Sequence, residues 1–229
     1  GHFLLWPAPP ELDTEGNDLA DKPSFNMLAV QSNFGLKVSG PEILNASTTA
    51  KIEGDFFGQK NDNINLLRLR HAFLKLSWEK TDLLVGQFWN PVFNLEAFPY
   101  TVSFTTGTPL LPFSRNPQIR LSHKTGNFKF SGIVLSQRDY PSYGPDPSNP
   151  SHSIPSSHFL KNSALPEFHA KIGYKKKFDE ITLKAGAGAG YKQIMPRTVT
   201  NTGYKTDATV PGMSATAYLS LGNKKFRIA

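Results

Sequence analysis

The sequence contains no cysteine and no long uninterrupted run of apolar residues. The absence of cysteine among 229 residues excludes disulfide bonds, thiolate metal sites and thiol redox chemistry. A membrane-spanning helix needs about 18 or more consecutive apolar residues, and no window of this chain approaches that length, so a helical membrane protein is excluded. Hydrophobic residues make up 38% of the chain, a value that a soluble domain and a barrel with a wet interior both satisfy.

Acidic residues are scarcer than basic ones. The chain has 18 Asp and Glu against 25 Lys and Arg, which gives a formal net charge of +7. Such a balance favours anionic partners, namely nucleic acid, anionic lipid head groups or acidic solutes. Residues 1–7 have no basic region and too short an apolar run for a signal peptide, so we expect any export signal to be removed or missing.

Alternation of apolar and polar residues with a period of two recurs along the chain and predicts about ten β-strands. In the sharpest run, Ala50, Ile52 and Phe56 alternate with Lys51, Glu53 and Asp55, which places three charges on one face of a strand. Similar runs begin near residues 28, 67, 118, 168, 181 and 213. No comparable stretch predicts an amphipathic helix. The fold class is therefore all-β, with one apolar and one polar face.

The connections between these strands fall into two length classes. Short links are predicted at residues 39–45, 79–82, 124–127, 175–180 and 222–224, a medium link at 58–63, and long links at 90–115, 139–166 and 195–211. Tight turns at one end and long loops at the other are typical of a transmembrane antiparallel β-barrel. Residues 139–165 and 195–211 are rich in Pro, Ser, Thr, Asn or Gly, and we expect them to form external loops that differ in how well ordered they are. A soluble basic β-sandwich that binds acidic glycans or nucleic acid is the alternative, and it would stay in solution without detergent.

Aromatic residues cluster near the ends of the predicted strands, where a lipid-interface girdle needs amphipathic rings. A sandwich core with aromatic strand ends is the alternative. The residues are Phe56, Phe57, Trp78, Phe88, Trp89, Tyr140, Tyr174 and Tyr191.

Three motifs carry a family resemblance: residues 51–58 (KIEGDFFG), 67–75 (LRLRHAFLK) and 84–89 (LVGQFW). They resemble Gram-negative outer-membrane porins of the phosphate-selective and dicarboxylate-uptake (DcaP-like) trimeric type, and the match covers about residues 26–124. The resemblance implies a sixteen-stranded barrel, a homotrimer and a third external loop folded into the pore, here residues 90–115. Residues 1–229 would then be a single barrel domain, which we expect to be truncated at both ends.

Basic residues dominate the polar phase of the predicted strands, which would be the pore wall. Rings of Arg and Lys lower the barrier that a pore presents to anions, and Arg also binds carboxylate or phosphate through two parallel bonds. In the alternative interpretation, acidic residues pair with Arg68 and Arg70 across neighbouring strands and only hold the wall rigid. The candidate pore-lining and anion-binding residues are Lys51, Arg68, Arg70, Arg115, Arg120, Lys171 and Lys184, with Glu53 and Asp55 as their acidic wall partners.

Hydroxyl side chains are frequent in residues 90–115 and would replace the hydration of a solute if this loop narrows a pore; a surface lid is the alternative. They are Thr101, Ser103, Thr105, Thr106, Thr108 and Ser114.

No residue pattern in the chain predicts catalysis or cofactor binding. Gly186, Gly188 and Gly190 alternate with alanine inside a predicted strand, so we expect them to make room for an inserted loop or a packed neighbour and not to form a phosphate loop. The histidines lack metal-ligand spacing. We therefore expect no enzyme, no metal and no cofactor, but passive, anion-favouring diffusion of small hydrophilic solutes across the Gram-negative outer membrane. The expected partners are small anionic or polar solutes and outer-membrane lipid, and not nucleic acid.

Overall fold

The main sheet of the computed structural model has ten antiparallel strands, each hydrogen-bonded to its neighbours along the chain. The strands are β1 (Asn33–Ile43), β2 (Ala46–Asp55), β3 (Arg68–Ser77), β4 (Thr81–Trp89), β5 (Arg115–Thr125), β6 (Phe128–Leu135), β9 (Glu167–Phe178), β10 (Ile181–Ile194), β11 (Val210–Gly222) and β12 (Arg227–Ile228). A separate hairpin pairs β7 (Ser142–Pro145) with β8 (Ser153–Ser156), and a 3₁₀ turn spans Leu95–Ala97. The structure describes residues 9–23, 25, 27, 29, 32–57, 65–98, 114–136, 142–146, 148, 149, 151–156, 165–195, 198–200, 202–223 and 225–228.

Short and long connections alternate along the main sheet, as the sequence predicts. Short turns follow β1, β3, β5, β9 and β11, and they lie together at one end of the sheet. The connections at the opposite end, which we call the loop end, are residues 56–67, 90–114, 136–166 and 195–209. Because neighbouring strands are antiparallel, this alternation places every tight turn on one side.

The first tight turn is shorter than the predicted link at residues 39–45. Strand β1 continues to Ile43, with a register irregularity between Gly40 and Ile43, and the turn is formed by Leu44 and Asn45 alone. Both residues have positive φ, 52° and 59°, as a two-residue type I′ turn requires. Leucine is uncommon at positive φ, so residue preference did not locate this turn. The Trp78 indole N–H donates to the Leu44 carbonyl at 2.9 Å.

The exposure of the two faces of the sheet is the reverse of that in a soluble protein, because apolar side chains are exposed and polar side chains are buried. On the apolar face, Ile52 and Ile119 are each 54% exposed and Leu219 is 63% exposed. On the polar face, Asp55 is 1% and Gln118 4% exposed. This agrees with the prediction that Lys51, Glu53 and Asp55 lie on the opposite face from Ala50, Ile52 and Phe56. No helix among the described residues is long and apolar enough to span a membrane.

The ten strands form an open sheet in the part of the chain that the structure describes, with β1 and β12 at its edges. A β-sandwich requires a second sheet that packs face to face with the first. In the described ranges, the pairing outside the main sheet consists of the β7–β8 hairpin and two isolated bridges, Leu12 with Asp18 and Val199 with Lys205. The predicted loop at 139–166 therefore contains a short hairpin of its own.

Candidate pore lining

A network of ion pairs links β2 and β3 on the polar face. Arg68 donates to both carboxylate oxygens of Asp55, from Nε at 3.0 Å and from Nη2 at 2.7 Å. Arg70 donates from Nε to Glu53 at 2.6 Å and from Nη1 to Asp55 at 2.7 Å. Lys51 approaches the other oxygen of Glu53 at 2.5 Å. Two carboxylates thus bind three cations, so most of the positive charge of this network is neutralised within the sheet.

A β-bulge at Arg70 creates this network. Glu53 pairs with His71 and Gly54 pairs with Leu69, so Arg70 is the extra residue of β3. A bulge changes which face the following side chains occupy. Arg68 and Arg70 lie on the polar face before it, and His71, Phe73 and Lys75 lie there after it. The bulge can be read from the sequence, because the polar residues of β3 lie at even-numbered positions before His71 and at odd-numbered positions from His71 onward.

Aromatic rings pack around His71 where β4 enters the following loop. The His71 ring lies 5.3 Å from Phe88 and 5.4 Å from Trp89, between ring centroids. Trp89 in turn lies 4.6 Å from Phe93 in the loop. The prediction that Phe88 and Trp89 belong to a lipid-facing girdle is wrong, because these rings pack on the polar face and hold the start of the loop against the wall.

Arg115 and Arg120 occupy opposite ends of this aromatic cluster. The Arg115 guanidinium stacks on the Trp89 ring with its Cζ 3.8 Å from the centroid. Arg120 donates from Nε to Gln118 Oε1 at 3.0 Å and from Nη2 to the Trp89 carbonyl at 2.9 Å, and its Cζ lies 5.1 Å from the Phe88 centroid. These three Arg120 contacts are with neutral groups, in contrast to the carboxylates that hold Arg68 and Arg70.

The start of the predicted constriction loop, residues 90–98, lies across the polar face and is anchored on distant strands. Asn94 donates from Nδ2 to Thr216 Oγ1 of β11 at 2.6 Å and accepts from Lys171 Nζ of β9 at 2.9 Å. Thr216 also donates to the Val92 carbonyl at 3.4 Å. Among the predicted loop hydroxyls, Ser114 is buried next to Asn116, whereas the threonines at 101, 105, 106 and 108 and Ser103 lie outside the described residues.

Three glycines of β10 make this crossing possible. A Cβ atom on Gly186 would lie 2.5 Å from the Tyr218 ring, and one on Gly188 would lie 2.8 Å from Lys171 Cγ. A Cβ atom on Gly190 would overlap the His169 ring. Long side chains from β9 and β11 therefore lie flat over the glycines, as the sequence predicts for small residues that make room for neighbours. The flat packing leaves space above β10 on the polar face.

A cationic cavity of about 400 Å³ lies between this part of the wall and the loop. It brings together the predicted residues Arg120, Lys171 and Lys184, and Tyr218 and Glu96 also line it. The same cavity is lined by Lys175, which also belongs to the polar phase of its predicted strand, and by Lys124 and Lys129, which are not among the candidate residues. Lys124 and Lys129 extend the polar phase of β5 and β6 to their shared turn, a signal that was readable in the sequence.

The predicted site residues therefore fall into two groups on the polar face. Lys51, Arg68 and Arg70 form the paired network with Glu53 and Asp55, and Arg120, Lys171 and Lys184 form the cationic cavity. Arg115 stacks on Trp89 and lies within electrostatic reach of the paired network. Within the described ranges, no cluster of His, Asp and Glu has the composition of a metal site.

Comparison with solved structures finds a fold similar to that of the outer membrane channel DcaP of Acinetobacter baumannii. The two share 21% sequence identity with a TM-score of 0.61, over 86% of this chain and 49% of that chain. The chain thus spans about half the length of that channel. No protein-family model matches the sequence, and no curated protein matches it. At this identity the similarity establishes the fold, an antiparallel sheet like that of an outer-membrane channel.

Proposed function

We propose that this chain is part of a Gram-negative outer-membrane porin through which small hydrophilic solutes diffuse passively, with a preference for anions. The observation that carries the proposal is the cationic cavity between the polar face and residues 90–98, on a sheet whose other face is apolar and exposed. Rings or clusters of Lys and Arg at a narrow point favour anions. The protein would act without a cofactor and without catalysis, driven by the solute gradient.

The apolar face has the dimensions that a bilayer requires. On β9, Phe168 lies toward the loop end and Phe178 toward the turn end, and both are exposed. Ten residues of strand span roughly 33 Å, which a strand tilt of about 40° reduces to the apolar height of roughly 25 Å that outer-membrane barrels present to lipid. Tyr191 and Ile181 occupy the equivalent positions on β10. Outer-membrane lipid is therefore the proposed partner of this face.

Each subunit of the complete protein would be a closed, sixteen-stranded barrel with residues 90–115 folded into its pore, and three subunits would form a trimer. The similarity to an outer-membrane channel over about half of that channel's length supports a barrel, and the anchoring of Asn94 on Lys171 and Thr216 supports the inward loop. The sixteen strands and the trimer are proposed from the family resemblance of the sequence. An inward loop narrows a barrel that would otherwise hold a wide aqueous lumen.

The test is the conductance of the full-length protein in planar lipid bilayers. We expect stable single-channel steps and, under a KCl gradient, a reversal potential that indicates a higher permeability for chloride than for potassium. Extraction provides a second measurement, because a barrel with this apolar face requires detergent. A protein that stays soluble without detergent and forms no channels would contradict the proposal, and a channel that prefers potassium would contradict its anion preference.

A further inference from the structure

The cationic cavity contains an acidic side chain that belongs to the loop and not to the wall. Glu96 lies in the 3₁₀ turn Leu95–Ala97 and lines the cavity opposite the basic residues of β5, β6 and β9. Among the described residues that line this cavity, Glu96 is the single carboxylate. Its charge acts on Arg120, Lys129 and Lys171, so it lies within electrostatic reach of the centre of the cluster.

The position of Glu96 is fixed by its neighbours in the loop. Asn94, two residues earlier, is held between Lys171 and Thr216. Phe93 is 3% exposed and packs on Trp89. Glu96 is therefore held at the cavity by the two anchored residues that shortly precede it, and it lines the space that a passing anion would enter.

We propose that Glu96 is a tethered competitor of the permeating anion: its carboxylate partly neutralises the cationic cavity and is displaced when a solute anion binds. This inference rests on the proposed porin function and identifies one residue that sets its selectivity. A conducting site must attract an ion enough for entry and release it fast enough for exit. The basic residues supply the attraction. A built-in carboxylate promotes release, because it lowers the affinity of the cavity and takes the place of the leaving anion.

The obvious alternative is that Glu96 only stabilises the first turn of its short helix, where acidic residues interact favourably with the helix dipole. Such a role would affect the stability of the loop and leave the charge selectivity unchanged. Selectivity therefore distinguishes a competitor from a structural residue. Glu79 is an exposed acidic residue in the turn between β3 and β4 that does not line the cavity, and it supplies a matched change of charge.

The experiment compares Glu96→Gln with Glu79→Gln in the full-length protein in planar bilayers. For Glu96→Gln we expect the ratio of chloride to potassium permeability to rise roughly two- to fivefold at low ionic strength, and sulfate to block the chloride current at lower concentration. Glu79→Gln should keep the values of the unmodified protein. If Glu96→Gln does not assemble, Glu96→Ala should show the same rise and Glu96→Asp should stay near the unmodified protein.

Two outcomes would overturn the proposal, and they differ in what else they overturn. If the unmodified protein prefers chloride but neither neutral variant at position 96 raises that preference beyond the Glu79→Gln control, the competitor role is wrong and the porin proposal stands. If the unmodified protein forms no channel or prefers potassium, both proposals are wrong.

Discussion

Replacing Arg120 by glutamine should weaken the anion preference of the pore more than removing an ion pair from the β2–β3 network. The Arg120 guanidinium contacts the side-chain oxygen of Gln118, the carbonyl of Trp89 and the ring of Phe88, which are all neutral. Among the described residues no carboxylate is bonded to it, so its charge acts on the lumen. Glutamine keeps a hydrogen-bond donor at this position and removes the charge.

The size of the effect follows from Coulomb's law. Two unit charges about 4 Å apart interact with ~1 kcal/mol in bulk water and ~4 kcal/mol at an effective dielectric constant of ~20. The lower figure suits an open, wet pore, and it changes the local population of an anion about fivefold. We therefore expect Arg120→Gln to lower the ratio of chloride to potassium permeability by about that factor at low salt, where screening is weak.

The control removes a cation without changing the net charge. Asp55 and Arg68 form a bidentate pair at 3.0 and 2.7 Å, and such a pair acts at a distance as a dipole. The double variant Asp55→Asn/Arg68→Gln should therefore change the permeability ratio less than about twofold. The expected effects thus differ for Arg68 and Arg120, although the sequence predicts both as pore-lining residues.

Reversal potentials of the full-length protein under a KCl gradient measure both variants in the same assay. Retention of strand content by circular dichroism shows that each variant still forms its sheet. An unchanged permeability ratio for Arg120→Gln, together with a lower ratio for the charge-neutral double variant, would contradict the prediction, because the selective charge would then lie in the β2–β3 network.

Three further predictions concern the wall and the loop. Gly186→Val should destabilise the folded protein by about 1–3 kcal/mol, because the new side chain overlaps a neighbouring tyrosine. A Cβ atom at Gly132 would have nothing within 4 Å, so Gly132→Ala should not destabilise it. Urea unfolding in lipid vesicles compares the two variants. Ile52→Lys on the apolar face should cost up to about 2–4 kcal/mol in the same assay, and an equal cost for Thr49→Lys on the polar face would contradict the assignment of faces. Asn94→Ala should speed hydrogen exchange of residues 90–98, and unchanged protection would show that its side chain does not anchor the loop.

Much of the sheet is readable from the sequence because a period of two reports the environment of each face directly. The alternation at Ile52 and Glu53 fixed the two sides of β2, and the glycine row at 186, 188 and 190 was correctly placed in a strand. Link lengths then fixed which turns share an end. These signals are local, so a single sequence contains them.

The contacts that the sequence did not reveal are those between distant residues. Asn94 lies in a segment without alternating polarity. Its hydrogen bonds to Lys171 and Thr216 form because the folded sheet brings β9 and β11 next to this loop. In the sequence, the bulge at Arg70 appears only as a change in which positions of β3 are polar. Counting the alternation over the whole strand hides this change. The pairing of Asp55 with Arg68 and Arg70 remained one of two alternatives until that register was known.

The alternation of tight turns and long loops also sets an order of assembly. Each tight turn joins two strands that pair with each other, such as β5 with β6 and β9 with β10. Closing a loop such as residues 136–166 costs about 2 kcal/mol more chain entropy than closing a turn of two residues. Hairpins should therefore form first and dock with one another afterwards, as local contacts generally precede distant ones. Every hairpin has two unpaired strand edges until it docks, and unpaired edges promote aggregation. The chain therefore needs protection from water and from other chains until its hairpins have docked.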